Sequence, residues 1–171
     1  MTFPGLAFPM PGVSAEARAG APSLGRGLAL DDGDLVTNPH TGGPAENEGR
    51  DALAQALVLT IETQRGSDSL NAGFGFDRLA VGRYALSVHA RKEYIRMELV
   101  RCLSADRRVT DVREVLFDDD PRFLELRPDL DSAAAHTRMA ATRAARTYTV
   151  VAVVETADGD TLTLQSGGRL E

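Results

Sequence analysis

The histidines and the single cysteine are the most recognisable chemical groups in this chain, and their placement argues against a metal or nucleophilic site. His40, His89 and His136 lie far apart in the sequence, whereas zinc ligands usually come in closely spaced pairs. Cys102 is the single cysteine, which excludes an internal disulfide and a cysteine-based zinc site. It falls within an apolar helical pattern, which predicts a core residue. Gly73-Phe-Gly-Phe76 lacks the lysine of a phosphate-binding loop.

Pairs of carboxylates are the remaining candidates for catalysis. Glu62 with Asp68 or Asp77 has the residue types of a glycosidase acid and nucleophile. Glu62, however, falls on a regular helical pattern, where a glutamate is usually solvated. Residues 118–120 are three aspartates without the ligand pattern of a calcium loop, so we interpret them as a solvated acidic turn. The sequence therefore predicts no catalytic residue, no metal and no cofactor, in a protein that is not an enzyme.

Charge and composition limit the kinds of partner. The chain has 171 residues, a net charge of −6 at pH 7 and 43% hydrophobic residues, which fits one globular domain with an arm. An acidic chain lacks the positive surface that nucleic-acid binding requires. No run of about 20 apolar residues is present to span a membrane. We therefore expect partners that are proteins, with neither nucleic acid nor membrane among them.

Apolar residues at helical spacing predict two main helices. The first covers residues 50–65, with apolar side chains four positions apart, and ends at Gly66. The second covers residues 82–104 and is amphipathic over about six turns. Charged residues such as Glu98 are assigned to its other faces. Its apolar stripe contains Ala85, Val88, Ile95, Leu99 and Cys102.

β-Branched and aromatic residues predict three strands in the second half of the chain, at 109–117, 147–156 and 161–164. Asp158-Gly159 is a turn signal that joins the last two as a hairpin. Val112 and Val115 are three positions apart, which indicates a bulge or a twist in the first strand. A smaller hairpin is predicted around Asp31-Asp32-Gly33, and residues 118–145 are interpreted as a surface insertion.

Prolines and glycines divide the chain. Residues 1–49 hold 6 of the 8 prolines and 9 of the 16 glycines, which disfavours regular structure. We therefore predict an extended arm over residues 1–26, followed by a single domain over residues 27–171. The arm also contains Phe3 and Phe8, so it is either a flexible terminus or an extended segment that buries these rings on another chain.

The order of these elements resembles a known family, the small baseplate wedge proteins or sheath initiators of contractile phage tails. Relatives occur in type VI secretion baseplates and in extracellular contractile injection systems, and some carry a lysozyme-like label. The likeness lies in three stretches. The helix 52–66 is similar to the family's helix ending in "Leu-x-Thr-x-x-Gly-Glu", residues 70–77 to its "Pro-x-Phe-Gly" element, and residues 103–112 to "Leu-x-x-x-Glu-Pro-Arg-Ile-x-x-Val". The structural motif residues are Gly66, Asn71, Phe74 and Gly75.

The resemblance implies an α+β domain in which two helices pack on a small, mostly antiparallel sheet closed by the C-terminal hairpin. It also implies a structural role between the baseplate wedge and the first sheath ring. The expected partners are the sheath protein, larger wedge proteins and inner-tube or hub proteins. Assembly would occur in the cytoplasm before incorporation into the particle. The family's Glu-Pro-Arg corresponds to Asp106-Arg107-Arg108 here, which we predict to contact a wedge subunit.

In the family, sheath arms add strands to the domain's sheet. The strand at 147–156 is apolar on both faces, so it is either central in a sheet or covered in a complex. We expect a partner to cover it, because only residues 161–164 are available on its hairpin side. The alternative is that the N-terminal arm covers it. The residues predicted to bind the sheath are Tyr148, Val150, Val151, Val153, Leu162 and Leu164. Two other functions stay open at this point, a lysozyme-like peptidoglycan hydrolase of the tail and a small soluble adaptor or assembly chaperone.

Overall fold

A computed structural model describes residues 23–83, 86–126, 137, 139–142 and 144–170, and these form an α+β fold as predicted. The helices are α1 (Gly49–Glu62), α2 (Arg78–Arg83) and α3 (Val88–Ser104), with a 3-10 helix at Pro121–Leu124. The strands are β1 (Arg26–Leu28), β2 (Leu30–Asp31), β3 (Asp34–Leu35), β4 (Glu46–Glu48), β5 (Val109–Phe117), β6 (Thr147–Thr156) and β7 (Thr161–Arg169). Among the helices described here, none has both the length and the apolarity needed to cross a membrane.

The main sheet has three antiparallel strands in the order β5-β6-β7. The strands predicted at 109–117 and 147–156 are confirmed with the same bounds, and the return strand continues beyond the predicted residue 164 to Arg169. The predicted bulge in β5 is also present, as a register shift between Val112 and Glu114. Because β6 pairs with β5 on one side and with β7 on the other, neither of its edges is free, and the prediction that a sheath strand is added at β6 is wrong.

One face of this sheet and the two long helices enclose the main core. α1 contributes Leu53, Leu57 and Ile61, and α3 contributes Ile95, Leu99, Cys102 and Leu103. The facing sheet residues are Tyr148, Val150, Ala152, Val154, Leu162 and Leu164. The Phe117 ring lies at the edge of this core, 5.9 Å from the Tyr148 ring in an edge-to-face arrangement. The predicted packing of two helices on a small antiparallel sheet is therefore confirmed.

The opposite face of the sheet is covered in part by the segment that follows β5. Phe123 is buried against Leu116 and Val151, with Leu126 packed beside them. Residues 118–126 are therefore attached to the sheet, and the prediction that residues 118–145 form only a surface insertion is wrong for this part. Residues 127–136, 138 and 143 lie outside the described residues, and residues 139–142, within the alanine-rich stretch, are helical. The apolar back of β6 thus has an intramolecular neighbour.

The acidic run after β5 is also more than a solvated turn. The Asp119 carboxylate lies 2.7 Å from the ammonium of Lys92, which also lies over the Phe117 ring at 5.2 Å from its centroid. The Asp120 side chain accepts the backbone N–H of Arg122 at 3.0 Å and so caps the 3-10 helix. These contacts attach the turn to α3 and direct the chain across the back of the sheet.

The helix predicted over residues 82–104 is two helices. α2 ends at Arg83, and Ser87 begins α3 because its hydroxyl accepts the N–H of Ala90 at 3.2 Å. Val88 was predicted on the apolar stripe but is 60% exposed, since it occupies the first turn beyond the core. Ala85, also predicted on that stripe, lies outside the described residues.

A small β-structure precedes α1. β2 and β3 form the predicted hairpin, in which Asp32 and Gly33 both have positive φ. β1 pairs with β4, a pairing that the sequence analysis did not predict. Leu24 is 4% exposed within the main core and Arg26 starts β1, so the last residues assigned to the arm belong to the domain. Residues 1–22 of the predicted arm lie outside the described residues.

We expect Phe123→Ala to lower the free energy of unfolding by about 3 kcal/mol, because the substitution removes a buried ring that covers the back of the sheet. Urea unfolding followed by circular dichroism measures the change. Leu70→Ala serves as the control, since Leu70 is 97% exposed and its loss should change stability by less than about 0.5 kcal/mol. Equal stability of the two variants would contradict the attachment of this segment.

Candidate functional site

The three stretches that resemble the sheath-initiator family meet around the C-terminal end of α3. They surround a cleft of about 470 Å³. One wall is the loop that contains Gly73, Phe74 and Gly75, and another is the turn that contains Asp106, Arg107 and Arg108. Ser23 and Gly25, at the start of the described chain, also line it. The fold therefore brings together two of the predicted groups of site residues that are about 30 positions apart in the sequence.

The first group, the glycine-rich loop, is attached to the end of α1 by backbone hydrogen bonds. The N–H of Phe76 donates to the carbonyl of Thr63 at 2.9 Å, and the N–H of Arg65 donates to the carbonyl of Phe76 at 3.1 Å. Gly75 has φ +97°, and a Cβ there would lie 2.4 Å from the Thr63 carbonyl oxygen. Only glycine permits this approach, which explains why position 75 is a glycine.

Gly66 does not end α1 as predicted. The helix ends at Glu62, and Thr63 leaves it in an extended conformation. Gly66, with φ +80°, forms the following turn, in which the N–H of Ser67 donates to the carbonyl of Gln64. The N–H of Thr63 still donates to the carbonyl of Leu59, as in a helix, but the Thr63 carbonyl and the Arg65 N–H bond to Phe76 of the glycine-rich loop. The helix therefore stops before Gly66.

The other motif residues form a turn at the loop's exposed end. The N–H of Phe74 donates to the carbonyl of Asn71 at 2.9 Å, and Phe74 is half-buried while Asn71 is exposed. The ring that anchors the loop is Phe76, which is 1% exposed and was not singled out from the sequence. An aromatic residue between glycines and a helix start is the signal that would have found it.

Glu98 is the functional group that the sequence analysis misplaced. It was assigned to the solvated faces of the helix, but it is 3% exposed. Its carboxylate accepts Nη2 of Arg101 at 2.7 Å, Nε of Arg101 at 2.9 Å and the backbone N–H of Asp77 at 3.1 Å. Its position three residues after Ile95 and four before Cys102 places it on the apolar stripe, and that spacing was the missed signal.

Arg101 extends this contact to the glycine-rich loop. Its Nη2 also donates to the carbonyl of Gly75 at 2.6 Å. Its hydrogen bond to the Glu98 carboxylate raises the pKa of Arg101 above its usual value, and burial only partly opposes this. The guanidinium therefore stays charged and connects α3 to the loop. We call Glu98, Arg101 and Gly75 the α3 clamp.

The charged turn after α3 is bound within the chain. Arg108 donates to both carboxylate oxygens of Asp106, at 3.0 Å from Nε and 2.7 Å from Nη2, and to the carbonyl of Leu24 at 2.8 Å. The Arg108 hydrogen bond lowers the pKa of Asp106 below its usual value. Arg107 is exposed and forms no ion pair with any residue that the structure describes. Of the three residues predicted to bind a partner, Arg107 alone presents an unpaired charge at the cleft.

The predicted sheath-binding residues lie inside the fold. Tyr148, Val150, Leu162 and Leu164 face the helices and are buried in the main core, while Val151 is buried on the other face. Val153 is half-buried. Because β6 is the central strand, none of its predicted residues offers backbone groups to a partner. Any strand added to this sheet must bind at β5 or β7.

The outer edge of β7 is defined by its hydrogen-bond alternation. The N–H of Thr156 donates to Asp160 and the N–H of Leu170 donates to Arg146, so even-numbered residues of β6 bond to even-numbered residues of β7. Because antiparallel strands alternate, odd-numbered residues of β7 direct their backbone groups away from β6. These outward residues are Thr161, Thr163, Gln165, Gly167 and Arg169. Among the described hydrogen bonds, one reaches this edge, from Arg50 to the Thr161 carbonyl.

The outer edge of β5 is less accessible. Nε of Arg96 donates to the carbonyl of Val115 at 3.1 Å, and the N–H of Asp120 donates to the carbonyl of Phe117 at 2.9 Å. Both carbonyls belong to residues that pair with even-numbered positions of β6, so they face outward. Side-chain and turn contacts thus occupy the β5 edge, and β7 is the more open of the two.

The carboxylates considered for catalysis have structural partners. Glu62 lies 3.3 Å from Arg78, Asp68 accepts the N–H of Leu70, and Asp77 accepts the N–H of Ala80 at the start of α2. Cys102 is buried as predicted, and burial raises its thiol pKa to about 11. Within the described ranges, no group of three or more metal-ligating side chains is placed to hold an ion. His136 lies outside those ranges.

We expect Glu98→Gln to lower the free energy of unfolding by about 3 kcal/mol, because Arg101 is left without its charge partner. The expected loss lies at the low end of the range for breaking a buried ion pair, because the Arg101 side chain is 33% exposed. Glu93→Gln is the matched control, because Glu93 pairs with Arg96 at the same spacing on the surface, and about 0–1 kcal/mol is expected there. Equal losses in urea unfolding would contradict the clamp.

We expect Asp106→Asn to cost about 2 kcal/mol at pH 7 through loss of charged hydrogen bonds. Since the folded pKa of Asp106 is below its ordinary value of 3.8, its contribution is present above pH 3.8 and is lost as pH falls through the folded pKa. The stability difference from the unsubstituted protein should therefore shrink below pH 3.8, measured by urea unfolding at each pH. A difference that stays constant in acid would contradict the internal pair. Asp32→Asn, at an exposed turn, is the control.

Comparison with known proteins supplies no further information about this cleft. No protein-family model, no curated protein and no solved structure matches the chain. The likeness to sheath initiators rests on the three sequence stretches that meet at the cleft.

Proposed function

We propose that this protein is a structural component of a contractile-tail or injection-machine baseplate, where it links the wedge to the first sheath ring. The observation that carries the proposal is the open outer edge of β7. An extended segment of a partner can continue the sheet there through backbone hydrogen bonds. This edge replaces the central strand β6 as the place where a sheath strand would be added.

The outer edge of β7 has the features that strand addition needs. Thr163 and Gly167 are exposed, and neither carries a large or charged side chain. The buried neighbours Leu162 and Leu164 hold the strand on the core, so the edge is fixed before a partner arrives. A fixed edge lowers the entropy cost of binding. An uncovered edge is also an aggregation hazard, which favours a protein whose edge is occupied in its working state.

The charged turn supplies a second candidate contact, with a wedge protein. Arg108 and Asp106 hold the turn in place, and Arg107 projects from it. In an interface that excludes water, an arginine of this kind pairs well with a partner carboxylate. The roles within the turn therefore differ, with two residues that shape it and one that is available for binding.

We expect Thr163→Pro to block sheath polymerisation on assembled baseplates. Proline removes an outward-facing N–H at β7 without taking a hydrogen bond from β6. Thr163→Val retains the N–H and the β-branch and is the matched control. Sheath length and yield by electron microscopy are the measurements, with circular dichroism to confirm that both variants are folded. Normal sheath assembly on folded Thr163→Pro baseplates would contradict strand addition at this edge.

A further inference from the structure

A set of leucines near the start of the domain is exposed although it lies beside ordered secondary structure. Leu28, Leu35 and Leu59 are 47%, 57% and 41% exposed. Leu30 pairs directly with Leu35 across the small hairpin, and paired residues in antiparallel strands project to the same face. Leu28 ends β1, two positions before Leu30, which begins β2. We call Leu28, Leu30, Leu35 and Leu59 the leucine stripe.

The side chain of Gln55 holds this stripe together. Its Oε1 accepts the N–H of Leu30 at 2.9 Å, and its Nε2 donates to the carbonyl of Leu28 at 2.8 Å. Leu59 follows Gln55 by one helical turn on α1 and so lies on the same side of the helix. The hairpin is therefore fixed to α1, and its leucines are presented on an ordered surface.

Negative charge surrounds the stripe. Residues 23–51 contain six acidic side chains and two arginines, a net charge of −4. Arg26 lies near Glu46 and Glu48, and Arg50 pairs with Asp160, which belongs to the β6–β7 turn. The acids at the hairpin tip, Asp31, Asp32 and Asp34, form no ion pair among the described residues. The exposed leucines therefore have unpaired carboxylates beside them at the hairpin tip, which forms an acidic edge of the surface.

We infer that the leucine stripe and its acidic edge form a docking surface for a basic amphipathic helix of a partner protein. Leucine-sized side chains on such a helix would bury the stripe, and its lysines or arginines would neutralise the hairpin acids. The chain's own residues 1–22 fit this surface less well, because they contain one glutamate and one arginine and have no net positive side-chain charge. The inference goes beyond the proposed function, because it concerns the N-terminal hairpin and α1 and does not use the edge of β7.

The test uses the full chain and a synthetic amphipathic peptide of leucine and lysine, about 15 residues long. The control peptide has the same pattern with glutamate in place of lysine. Binding is measured by fluorescence anisotropy of labelled peptide. We expect the basic peptide to bind, the acidic peptide to fail, and the affinity to fall when salt is raised from about 50 to 300 mM. Equal binding of both peptides would overturn the charge argument.

Variants locate the binding site. Leu35→Ser should lower the affinity for the basic peptide about tenfold, which is the effect of losing one buried leucine contact. Asp34→Asn should also lower this affinity and reduce its dependence on salt. Met97→Ser is the matched control, because Met97 is 58% exposed and lies on α3, which carries none of the stripe residues. An equal loss in Met97→Ser, or no loss in Leu35→Ser, would overturn the assignment.

A final variant tests whether the protein's own arm occupies the stripe. Phe3→Ser combined with Phe8→Ser, in the full chain, removes the arm's aromatic side chains. We expect unchanged peptide affinity in this variant. If the basic peptide binds only after these substitutions, the arm is the occupant and the proposal is wrong. Because no sheath or wedge protein is used, the outcome is independent of the proposed baseplate role.

Discussion

The arrangement of the helices depends on the hydrogen bonds made by the buried carboxylate of Glu98. A charge removed from water destabilises the fold unless hydrogen bonds replace its hydration, and Glu98 receives them from Arg101 and from the backbone of Asp77. These donors lie on α3 and on the segment that begins α2. Satisfying one carboxylate therefore fixes where the glycine-rich loop crosses α3, and with it the wall of the cleft.

The sheet imposes a second constraint, because its central strand is apolar on both faces. The helices cover one face, and Phe123 covers part of the other. This arrangement leaves β7 as the open edge and converts the residues after β5 into a part of the fold. The interactions that we propose would use different parts of this fold, namely the backbone at the edge of β7, the charged turn at the cleft and the leucines of the N-terminal hairpin.

The sequence predicted the parts of this fold that depend on local patterns. The bounds of β5 and β6 follow from their β-branched residues, and α1 follows from its apolar spacing. The break at Ser87 was missed because apolar periodicity continues across it, whereas the cap depends on a single hydroxyl. The central place of β6 could not be read from its two apolar faces, since a central strand and an edge strand covered by a partner have the same pattern.

The candidate site was predicted in its residues more than in their roles. Asp106 and Arg108 were recognised as a charged turn, but their pairing with each other and with the Leu24 carbonyl depends on the tertiary fold. Gly75 was recognised from its motif, and its physical reason, a carbonyl 2.4 Å from where a Cβ would be, is visible only in three dimensions. Glu98 was assigned to a solvated face because charged residues on helices are usually solvated, although its spacing places it on the apolar stripe.

The pairing of β6 with its two neighbours has a consequence for how the chain tolerates change in length. β6 and β7 are joined by the short turn Ala157–Asp160, so their pairing closes a small loop, whereas β5 and β6 are separated by residues 118–146. The entropy of closing a loop grows slowly with its length, by about 0.6 kcal/mol for each doubling. Insertions and deletions in the longer connection should therefore accumulate at little thermodynamic cost, provided that Phe123 keeps its place. Variation in length among homologous chains is expected there, while the β6–β7 turn stays constant.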